Sequence, residues 1–349
     1  MPSPWTGHRV EGWLFEILDA SERLVGVLDA EAVGGTLEFS TAATIRGSGN
    51  VVVAGADALA DWSGRRLRIS YTLDGLDPLP LITALTSRPA ITYTAAGPSA
   101  VIDVFDKLAI LADDSFGAAY ALPAGTPVMD SVRDTITSTG EPAILVGDSD
   151  AVLAAPMTWE AAASKLRTIN DRLDAAGMYA LWCDGLGRYR ATAYVAPSAR
   201  GIAWTFTEDA AGLYLPDFKV ERDPSKVPNR YYVVGRTEGD ASPLVGVATD
   251  EDPASPYSYP GQRWKTRTDT GVDAASQTVA DLLAARRLTE AQQPNETITI
   301  KHPPLPIGLN DVVAVESHHF ETPRRYVVQK QTYALEVGGL VTTTGRRVL

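Results

Sequence analysis

Histidine and cysteine, the side chains most often used as catalytic bases, nucleophiles and metal ligands, are scarce in this sequence. The 349 residues include one cysteine, Cys183, and four histidines, His8, His302, His318 and His319. A Ser-His-acid or Cys-His mechanism depends on a histidine base, so such chemistry is restricted to these few positions. A single cysteine also excludes an internal disulfide and any zinc site that uses paired thiolates.

The adjacent His318 and His319, with Glu321 close behind, form the arrangement most like a metal site. Successive residues of a strand point to opposite faces, whereas a shared metal ion needs both rings on one side. No second element rich in histidine or carboxylate has ligand spacing. The pattern therefore favours a surface turn between Val315 and Arg324 over a pair of ligands.

Cys183 lies in an apolar stretch beside Trp182, without a neighbouring histidine or lysine that would lower the pKa of its thiol. A buried and unreactive cysteine is the favoured interpretation. The following Gly185-Leu186-Gly187 lacks a third glycine and lies between two strand-like segments, so it does not match a phosphate-binding loop.

Two groups of acidic residues are candidates for glycoside hydrolysis, which requires a pair of carboxylates in a cleft. They are Asp113-Asp114 and Asp148-Ser149-Asp150. Both lie in segments that contain glycine or serine, where short acidic side chains commonly cap turns. Turn capping is the favoured interpretation, and hydrolysis stays an alternative.

Several aromatic side chains in one part of the chain suggest a platform on which sugars could stack: Trp159, Trp182, Trp204, Tyr179, Tyr189 and Tyr194. Strand alternation places Trp182 on the same face as Ala180, and Trp159 falls on the first turn of a predicted helix. Packing of that helix on a hairpin is favoured over sugar binding. We therefore predict no catalytic, cofactor-binding or metal-binding residues, and a protein that is not an enzyme.

The composition is that of an acidic globular protein. Lysine and arginine number 31 and aspartate and glutamate 43, which gives a net charge of −12, and 45% of the residues are hydrophobic. The excess of acid disfavours sequence-specific binding of nucleic acid, which normally needs a basic patch. No apolar run reaches the roughly 18 residues of a membrane helix, and the start of the chain has no pattern of a secretion signal.

The first part of the chain, residues 1–98, is predicted to form a β-barrel. Short apolar or alternating segments recur between turn signals, as in 66–71, where Leu67, Ile69 and Tyr71 share one face. Regularly spaced short strands of this kind are typical of an antiparallel barrel or sandwich. The expected strands are residues 13–18, 24–28, 36–39, 50–53, 67–73, 79–84 and 90–94.

Residues 99–200 are predicted to form an α+β domain. Helices are expected at 127–138 and 158–176, the second with Thr158 as N-cap and Gly177 just beyond its last turn. The segments 178–183 and 188–194 are predicted to form a hairpin across an Asp-Gly turn.

The remaining chain is predicted to form a second β-barrel in two parts, 201–249 and 296–349. Between them, residues 250–295 supply an exposed loop at 250–261 and a helix at 274–293 that Pro294 ends. The expected strands are 202–206, 230–236, 244–248, 297–301, 311–315 and 326–336, with a last pair around Gly338-Gly339.

A family resemblance rests on short motifs that occur in the same order along most of the chain. Residues 101–113, a strand followed by Asp106-Lys107-Leu108, resemble an element of tail-tip or baseplate hub proteins of long-tailed bacteriophages, the tail-associated minor tail proteins of siphophages. Thr126-Pro127-Val128, the helix with Ile169-Asn170, the 178–194 hairpin and residues 305–313 are similar to the same family.

The resemblance implies a mixed, mainly β fold with α+β parts, in which two tube-type antiparallel β-barrel domains carry inserted α+β domains. In the family three copies form a ring, so that six barrels match a hexameric tail-tube or distal-tail ring on one side and a threefold tip on the other. The resemblance also implies a structural hub, located at the virion tail tip and assembled in the host bacterial cytoplasm.

The partners that the resemblance implies are two further copies in a homotrimer, a distal tail or tail-tube ring, the tape measure protein, and tip fibre or receptor-binding proteins. It implies no cofactor and no integral membrane segment. The hub closes the tube and opens for DNA ejection, with no chemical step. Since the sequence stops at Leu349, soon after the last expected strand, we expect lytic or receptor-binding activity on another protein.

Two other functions stay open at this point. One is a carbohydrate-binding or cell-wall-hydrolysing tail module, and the other is the equivalent hub of a contractile injection machine. For a hub, the acidity has a physical use, because DNA passes most easily along a wall that does not displace its counterions. We expect a disproportionate share of the negative charge to face the lumen of the ring, the alternative being that it serves solubility alone.

Overall fold

The computed structural model describes residues 5, 10–29, 33–141, 145–147, 149–209, 212–222, 227–235, 243–272, 276–292 and 296–348. The chain divides into two compact units. The first unit runs from the start of the chain to Phe218 and includes Thr299–Val348, and the second is Lys219–Ile298. No helix in the described part of the chain is long and apolar enough to cross a membrane.

Eight strands precede the first helix. They are β1 (Glu11–Leu18), β2 (Leu24–Val27), β3 (Val33–Ser40), β4 (Gly47–Ala54), β5 (Arg66–Leu73), β6 (Leu79–Thr86), β7 (Ala90–Thr94) and β8 (Gly97–Asp106).

Short strands alternate with three helices in the next part of the chain. The elements are α1 (Leu108–Asp113), β9 (Tyr120–Leu122), α2 (Val128–Thr137), β10 (Leu145–Val146), β11 (Met157–Trp159), α3 (Lys165–Ala175), β12 (Trp182–Cys183) and β13 (Tyr189–Arg190).

The rest of the chain returns to strands, with one helix among them. In chain order the elements are β14 (Ile202–Phe206), β15 (Lys219–Arg222), β16 (Arg230–Gly235), β17 (Val245–Thr249), β18 (Thr266–Val272), α4 (Gln277–Ala291), β19 (Glu296–His302), β20 (Val312–Val315), β21 (Arg324–Ala334) and β22 (Val341–Val348).

A large, mostly antiparallel sheet dominates the first unit and confirms the prediction of a mainly β fold. Its strands follow one another in the order β22-β21-β3-β4-β8-β6-β5-β1-β2, and every neighbouring pair in this series is antiparallel. β7 pairs with β8, whereas β14 runs parallel to β20, which is joined to β21. Leu67, Ile69 and Tyr71 of β5 are buried on one face, as expected, but Arg66 and Ser70 on the other face are buried too.

The described strands do not form the two separate closed barrels that were predicted. β3 pairs with β21, with Leu37 opposite Tyr333, so strands from the two ends of the chain share one open sheet. One hydrophobic core under this sheet includes Phe15 and Ile102 from the first part of the chain together with Tyr333 and Val341 from the last. Burial across this shared core links the two sets of strands.

The α+β part of the first unit has a core of its own, in which α2 and α3 pack with α1 and β13. The helix predicted at 158–176 is shorter than expected. Its N-cap is Ser164, whose hydroxyl accepts a hydrogen bond from the Arg167 amide, and not Thr158. Thr158 and Trp159 instead belong to β11, where Trp159 faces Tyr120 of β9, a cross-strand aromatic pair that favours the extended chain.

The end of α3 agrees with its prediction, because Gly177 follows the last turn with a φ of 67°, a conformation that glycine adopts at little cost. The 127–138 helix is confirmed as α2. The predicted hairpin at 178–194 is also present, as the short antiparallel pair of β12 and β13.

In the second unit, β16 lies between an antiparallel β17 and a parallel β18, and α4 packs against the sheet. The strands expected at 230–236 and 244–248 therefore pair with each other and with β18. The helix expected at 274–293 is α4. Residues 274, 275 and 293, at the ends of the expected range, and Pro294 lie outside the described residues. The 250–261 loop is mostly exposed, but Asp250 and Ser258 within it are buried.

Candidate functional site

The paired histidines lie in the turn between β20 and β21, as expected, but their rings do not point to opposite faces. The centroids of the His318 and His319 rings are 3.8 Å apart, because the chain here is a turn and not a strand. His318 Nδ1 lies 2.6 Å from Glu208 Oε2, and the His318 amide donates to the same oxygen. These hydrogen bonds, with one from Ser317, lower the pKa of Glu208 to about 2.

Of the other two histidines, the structure describes His302 alone. His302 is buried and its Nε2 lies 2.7 Å from the Thr343 hydroxyl, while His8 lies outside the described residues. Among the residues that the structure describes, no group of three histidine, cysteine, aspartate or glutamate side chains could hold a metal ion.

The acidic candidates lie in different surroundings. Asp114 pairs with Lys165 at 2.5 Å, and Asp113 is exposed on the last turn of α1. Asp150 is exposed in a loop, and Asp148 lies outside the described residues. The ion pair of Asp114 and the exposure of Asp113 and Asp150 fit surface roles.

The aromatic side chains belong to several clusters and not to one platform. Trp159 is buried, its indole donates to Asp171 at 2.7 Å, and its ring stacks on Tyr120 at a centroid distance of 5.6 Å. Tyr189 is buried in the core beside α1 and α3. Trp182 lies half-buried on β12 and Trp204 on β14.

Tyr179 and Tyr194 form a more exposed pair, with ring centroids 5.1 Å apart. The Arg200 guanidinium carbon lies 5.1 Å from the centroid of the Tyr179 ring. Arg200 also donates to the Val195 and Asn310 carbonyls. This cluster therefore fastens the end of the α+β part to the loop before β20.

A buried group of charges lies where the large sheet meets the α+β part, and we call it the Lys107 junction. It consists of Glu22 in the turn after β1, Arg66 on β5, Lys107 at the end of β8 and Glu141 after α2. Lys107 Nζ lies 2.5 Å from Glu22 and 3.0 Å from Glu141, and Arg66 pairs with both carboxylates. The Lys107 side chain is only 1% exposed.

Asp106, the neighbour of Lys107, binds backbone amides at the same junction. Its carboxylate accepts hydrogen bonds from the Gly47 amide at 2.7 Å and from the Leu108 amide at 2.9 Å, the second at the start of α1. Burial raises the pKa of Asp106 to about 6, although these two amides and Arg46 oppose the shift. The Asp106-Lys107-Leu108 motif is thus a joint between a strand, a helix and two distant loops.

The β12–β13 hairpin packs on this joint with very close backbone contact. A Cβ at Gly185 would lie 1.9 Å from the Pro80 carbonyl oxygen on β6, and the Thr83 hydroxyl donates to the Gly185 carbonyl at 2.9 Å. The Tyr189 hydroxyl donates to the Lys107 carbonyl. Gly185 and Gly187, which do not match a phosphate-binding loop, are needed here because β6 leaves no room for a side chain.

A cavity of about 650 Å³ opens beside the hairpin. Its wall includes the half-buried Cys183. Burial raises the pKa of its thiol well above the usual value, which disfavours the thiolate form. The 305–311 segment forms another part of the wall. Here the Asp311 carboxylate accepts a hydrogen bond from the Gly308 amide at 2.8 Å, and its pKa is raised by burial.

Sequence reasoning did not identify the Lys107 junction or Arg172, which is fully buried in α3 and donates to Ser131, Thr135 and Thr168. A signal existed for Lys107, which lies between the end of β8 and the apolar residues 108–112. Its partners were not predictable, because they lie 85 and 34 positions away in the sequence. Taken together, these contacts join segments that are far apart in the sequence.

Comparison with known proteins agrees with this description. Neither a protein-family model nor a curated protein sequence matches the chain. Among solved structures, a tail protein from Neisseria meningitidis superposes with a TM-score of 0.68 at 14% identity, over 97% of both chains. The 43 kDa tail protein of prophage MuSo2 from Shewanella oneidensis gives 0.66 at 11% identity, over 97% of this chain and 98% of the other.

A chain of the Francisella PdpA–VgrG complex is also similar, with a TM-score of 0.61 at 7% identity, over 99% of this chain and 59% of that chain. Identities this low establish the fold alone. The tail-protein resemblance first seen in the 101–113 motif is therefore confirmed at the level of structure, and this chain has the fold of phage tail and baseplate proteins.

Proposed function

We propose that this protein is the structural hub of a bacteriophage tail tip. The observation that carries the proposal is the superposition on two tail proteins over nearly the full length of all three chains. The fixed junctions of the first unit support it, since a hub must transmit forces between its neighbours without deforming. Among the described residues, no three histidine, cysteine, aspartate or glutamate side chains could together hold a metal ion.

In this proposal three copies form a closed ring. The two halves of the large sheet, β1–β8 and β19–β22 with β14, act as the two tube-type β domains of each copy, so that six such domains surround the lumen. The ring matches a distal tail or tail-tube ring on one face and tip fibre or receptor-binding proteins on the other, and it contacts the tape measure protein. Opening for DNA is a rearrangement between copies.

In this proposal the acidic side chains behind the net charge of −12 are enriched along the lumen of the ring. DNA would then pass without the counterion release that accompanies tight binding. Measuring the affinity of the assembled ring for short duplex DNA tests this. We expect no measurable binding at low salt, and binding that weakens steeply with salt would contradict an acidic lumen.

The test of the hub itself is the oligomeric state and shape of the purified protein. We expect sedimentation as a trimer and electron-microscopy class averages with threefold symmetry. A chain that stays monomeric at all concentrations would contradict the proposal. Release of sugars or peptides from purified cell walls, lost on Asp150→Ala, would instead support the hydrolytic alternative.

The hub of a contractile injection machine is a second candidate, favoured by the similarity to the Francisella PdpA–VgrG complex. The two candidates predict the same ring but different neighbours in the particle. A sheath gene beside the coding sequence would support the contractile machine, and its absence from the complete tail operon would support the phage tail hub.

A further inference from the structure

β7 and β2 are edge strands of the large sheet in the first unit, and both leave several apolar side chains exposed. A further edge strand of the described chain, β14, pairs with β20 and exposes Ile202. In the described part of the chain, β7 pairs with β8 alone and β2 pairs with β1 alone. Each therefore has one row of backbone N–H and C=O groups without a neighbouring strand. Soluble proteins usually protect such edges with charge, proline or a covering segment, because an open edge pairs readily with another strand.

β7 is exposed along its whole length and on both faces. All five of its residues are exposed, including Ile91 at 40% and Tyr93 at 73%. Val101, which lies opposite Ala90 on β8, is also exposed. A strand that buries neither face contributes little apolar burial to the stability of a single chain. Exposed apolar side chains of this kind often mark a surface that binds a partner.

β2 has the same character at the end of the sheet. Leu24 and Val25 follow one another and so point to opposite faces, yet both are more than half exposed, as is Val27. β2 has four residues and β7 has five, so the two edges are similar in length.

The charges of the chain indicate what covers these edges. Residues 89–102, which span β7 and the start of β8, contain no charged side chain, and neither do residues 24–28, although 21% of the chain is charged. Each copy carries a net charge of −12, so two copies repel each other over most of their surfaces. Contact between copies is least opposed where both surfaces are neutral and apolar. β7 meets that condition, and β2 meets it over residues 24–28, with the exposed Arg23 and Asp29 at its two ends.

We propose that β7 of one copy pairs edge to edge with β2 of the next copy, extending the large sheet across the boundary between subunits. The inference rests on the proposed trimer and specifies the surface that closes it. Two different edges on the same chain make a head-to-tail contact, and a head-to-tail contact that closes on itself produces a ring. Backbone hydrogen bonds supply the pairing, while Tyr93, Ile91, Leu24 and Val27 bury apolar surface around it.

Photo-crosslinking of the assembled protein tests the pairing directly. Tyr93 is replaced by p-benzoylphenylalanine, and unlabelled protein is mixed with ¹⁵N-labelled protein under conditions that exchange subunits. Trypsin then releases position 93 in the peptide 69–107, since Arg88 precedes proline, and β2 in the peptide 24–46. We expect crosslinks that join an unlabelled 69–107 peptide to a labelled 24–46 peptide.

The matched control carries the same photoreactive residue at Val337, an exposed position in the turn after β21. We expect no crosslink from Val337 to the 24–46 peptide of another copy. If the protein is a trimer but position 93 crosslinks to other peptides, the β7–β2 pairing is wrong and the hub proposal stands. If the protein does not assemble at all, both fail.

A pair of substitutions gives an independent measure. Tyr93→Asp places a charge on the neutral edge and should raise the dissociation constant of the trimer at least about 30-fold, the effect of an interface hot spot. Tyr93→Phe keeps the ring and should change it less than about threefold. Both variants should unfold at the wild-type temperature as monomers, because the side chain is exposed. Equal assembly of Tyr93→Asp and wild type would overturn the inference.

Discussion

The Lys107 junction and the two free edges, β7 and β2, reverse the usual distribution of side chains within one unit. At the junction, Arg66, Lys107 and Glu141 are buried, Glu22 is partly buried, and the four side chains pair with one another. At the edges, large apolar side chains are exposed to solvent. The charges of the junction find their partners within a single chain, whereas the apolar side chains of the edges stay exposed in it.

The difference separates folding from assembly. A buried ion network is a costly way to gain stability, but it tolerates few alternative geometries, since any displacement leaves a charge unpaired. The junction therefore fixes how the sheet, α1 and the loop after α2 meet. The edges contribute little to the fold of one copy and, in our proposal, most to the contact between copies.

Removal of Lys107 should have the largest effect on the fold. Lys107→Met leaves Glu22 and Glu141 sharing Arg66 in a buried place, so we expect the free energy of unfolding to fall by about 3–5 kcal/mol. Urea denaturation followed by fluorescence measures it. The control Lys330→Met removes an exposed pair with Glu38 and should cost less than about 1 kcal/mol. Equal losses would mean that the junction has no special role.

The next effect is a pH dependence carried by Asp106. Its pKa is raised to about 6 in the folded chain, so its contribution to stability is complete below the unfolded pKa and is lost as pH rises through about 6. Relative to Asp106→Asn, wild type should lose about 3 kcal/mol of unfolding free energy between about pH 3.5 and pH 8. Denaturation curves of both proteins across this range give the difference, and a constant difference would refute the shift.

A smaller effect is expected where the hairpin touches β6. Gly185→Ala forces a methyl group against the Pro80 carbonyl, and the shift needed to relieve the clash should cost about 1–3 kcal/mol of unfolding free energy. The control Gly201→Ala has no atom within 4 Å of the new methyl group and should be nearly neutral. Matching melting temperatures for the two variants would show that the hairpin packs loosely.

The smallest effect on folding belongs to the edges. Tyr93→Ser should change the unfolding free energy of the monomer by no more than about 0.5 kcal/mol, because the ring is exposed. The melting temperature of the variant should depend less on protein concentration than that of wild type, because assembly stabilises the folded chain only while copies bind each other. A destabilised monomer would mean that β7 belongs to the fold and not to the interface.

Local patterns predicted much of the secondary structure. The buried face of β5, the helix at 127–138 and the glycine after α3 were all predicted, and the strand expected at 90–94 coincides with β7. β18 was missed because its sequence, Thr266–Val272, is polar and largely exposed, so it lacks the pattern of a half-buried strand. Thr158 was misassigned as an N-cap because its strand is held by pairing with β9, which no neighbouring residue reveals.

Sequence patterns predicted many of the strands and the apolar face of some of them, and they showed that histidine and cysteine chemistry had few places to occur. The tertiary structure alone decided that β3 pairs with β21, that Lys107 meets Glu22 and Glu141, and that β7 and β2 remain uncovered. The physical reason is that alternation specifies a face but not a neighbour. Partners are chosen by the burial and pairing of residues far apart in the chain, and by the geometry of the core between them.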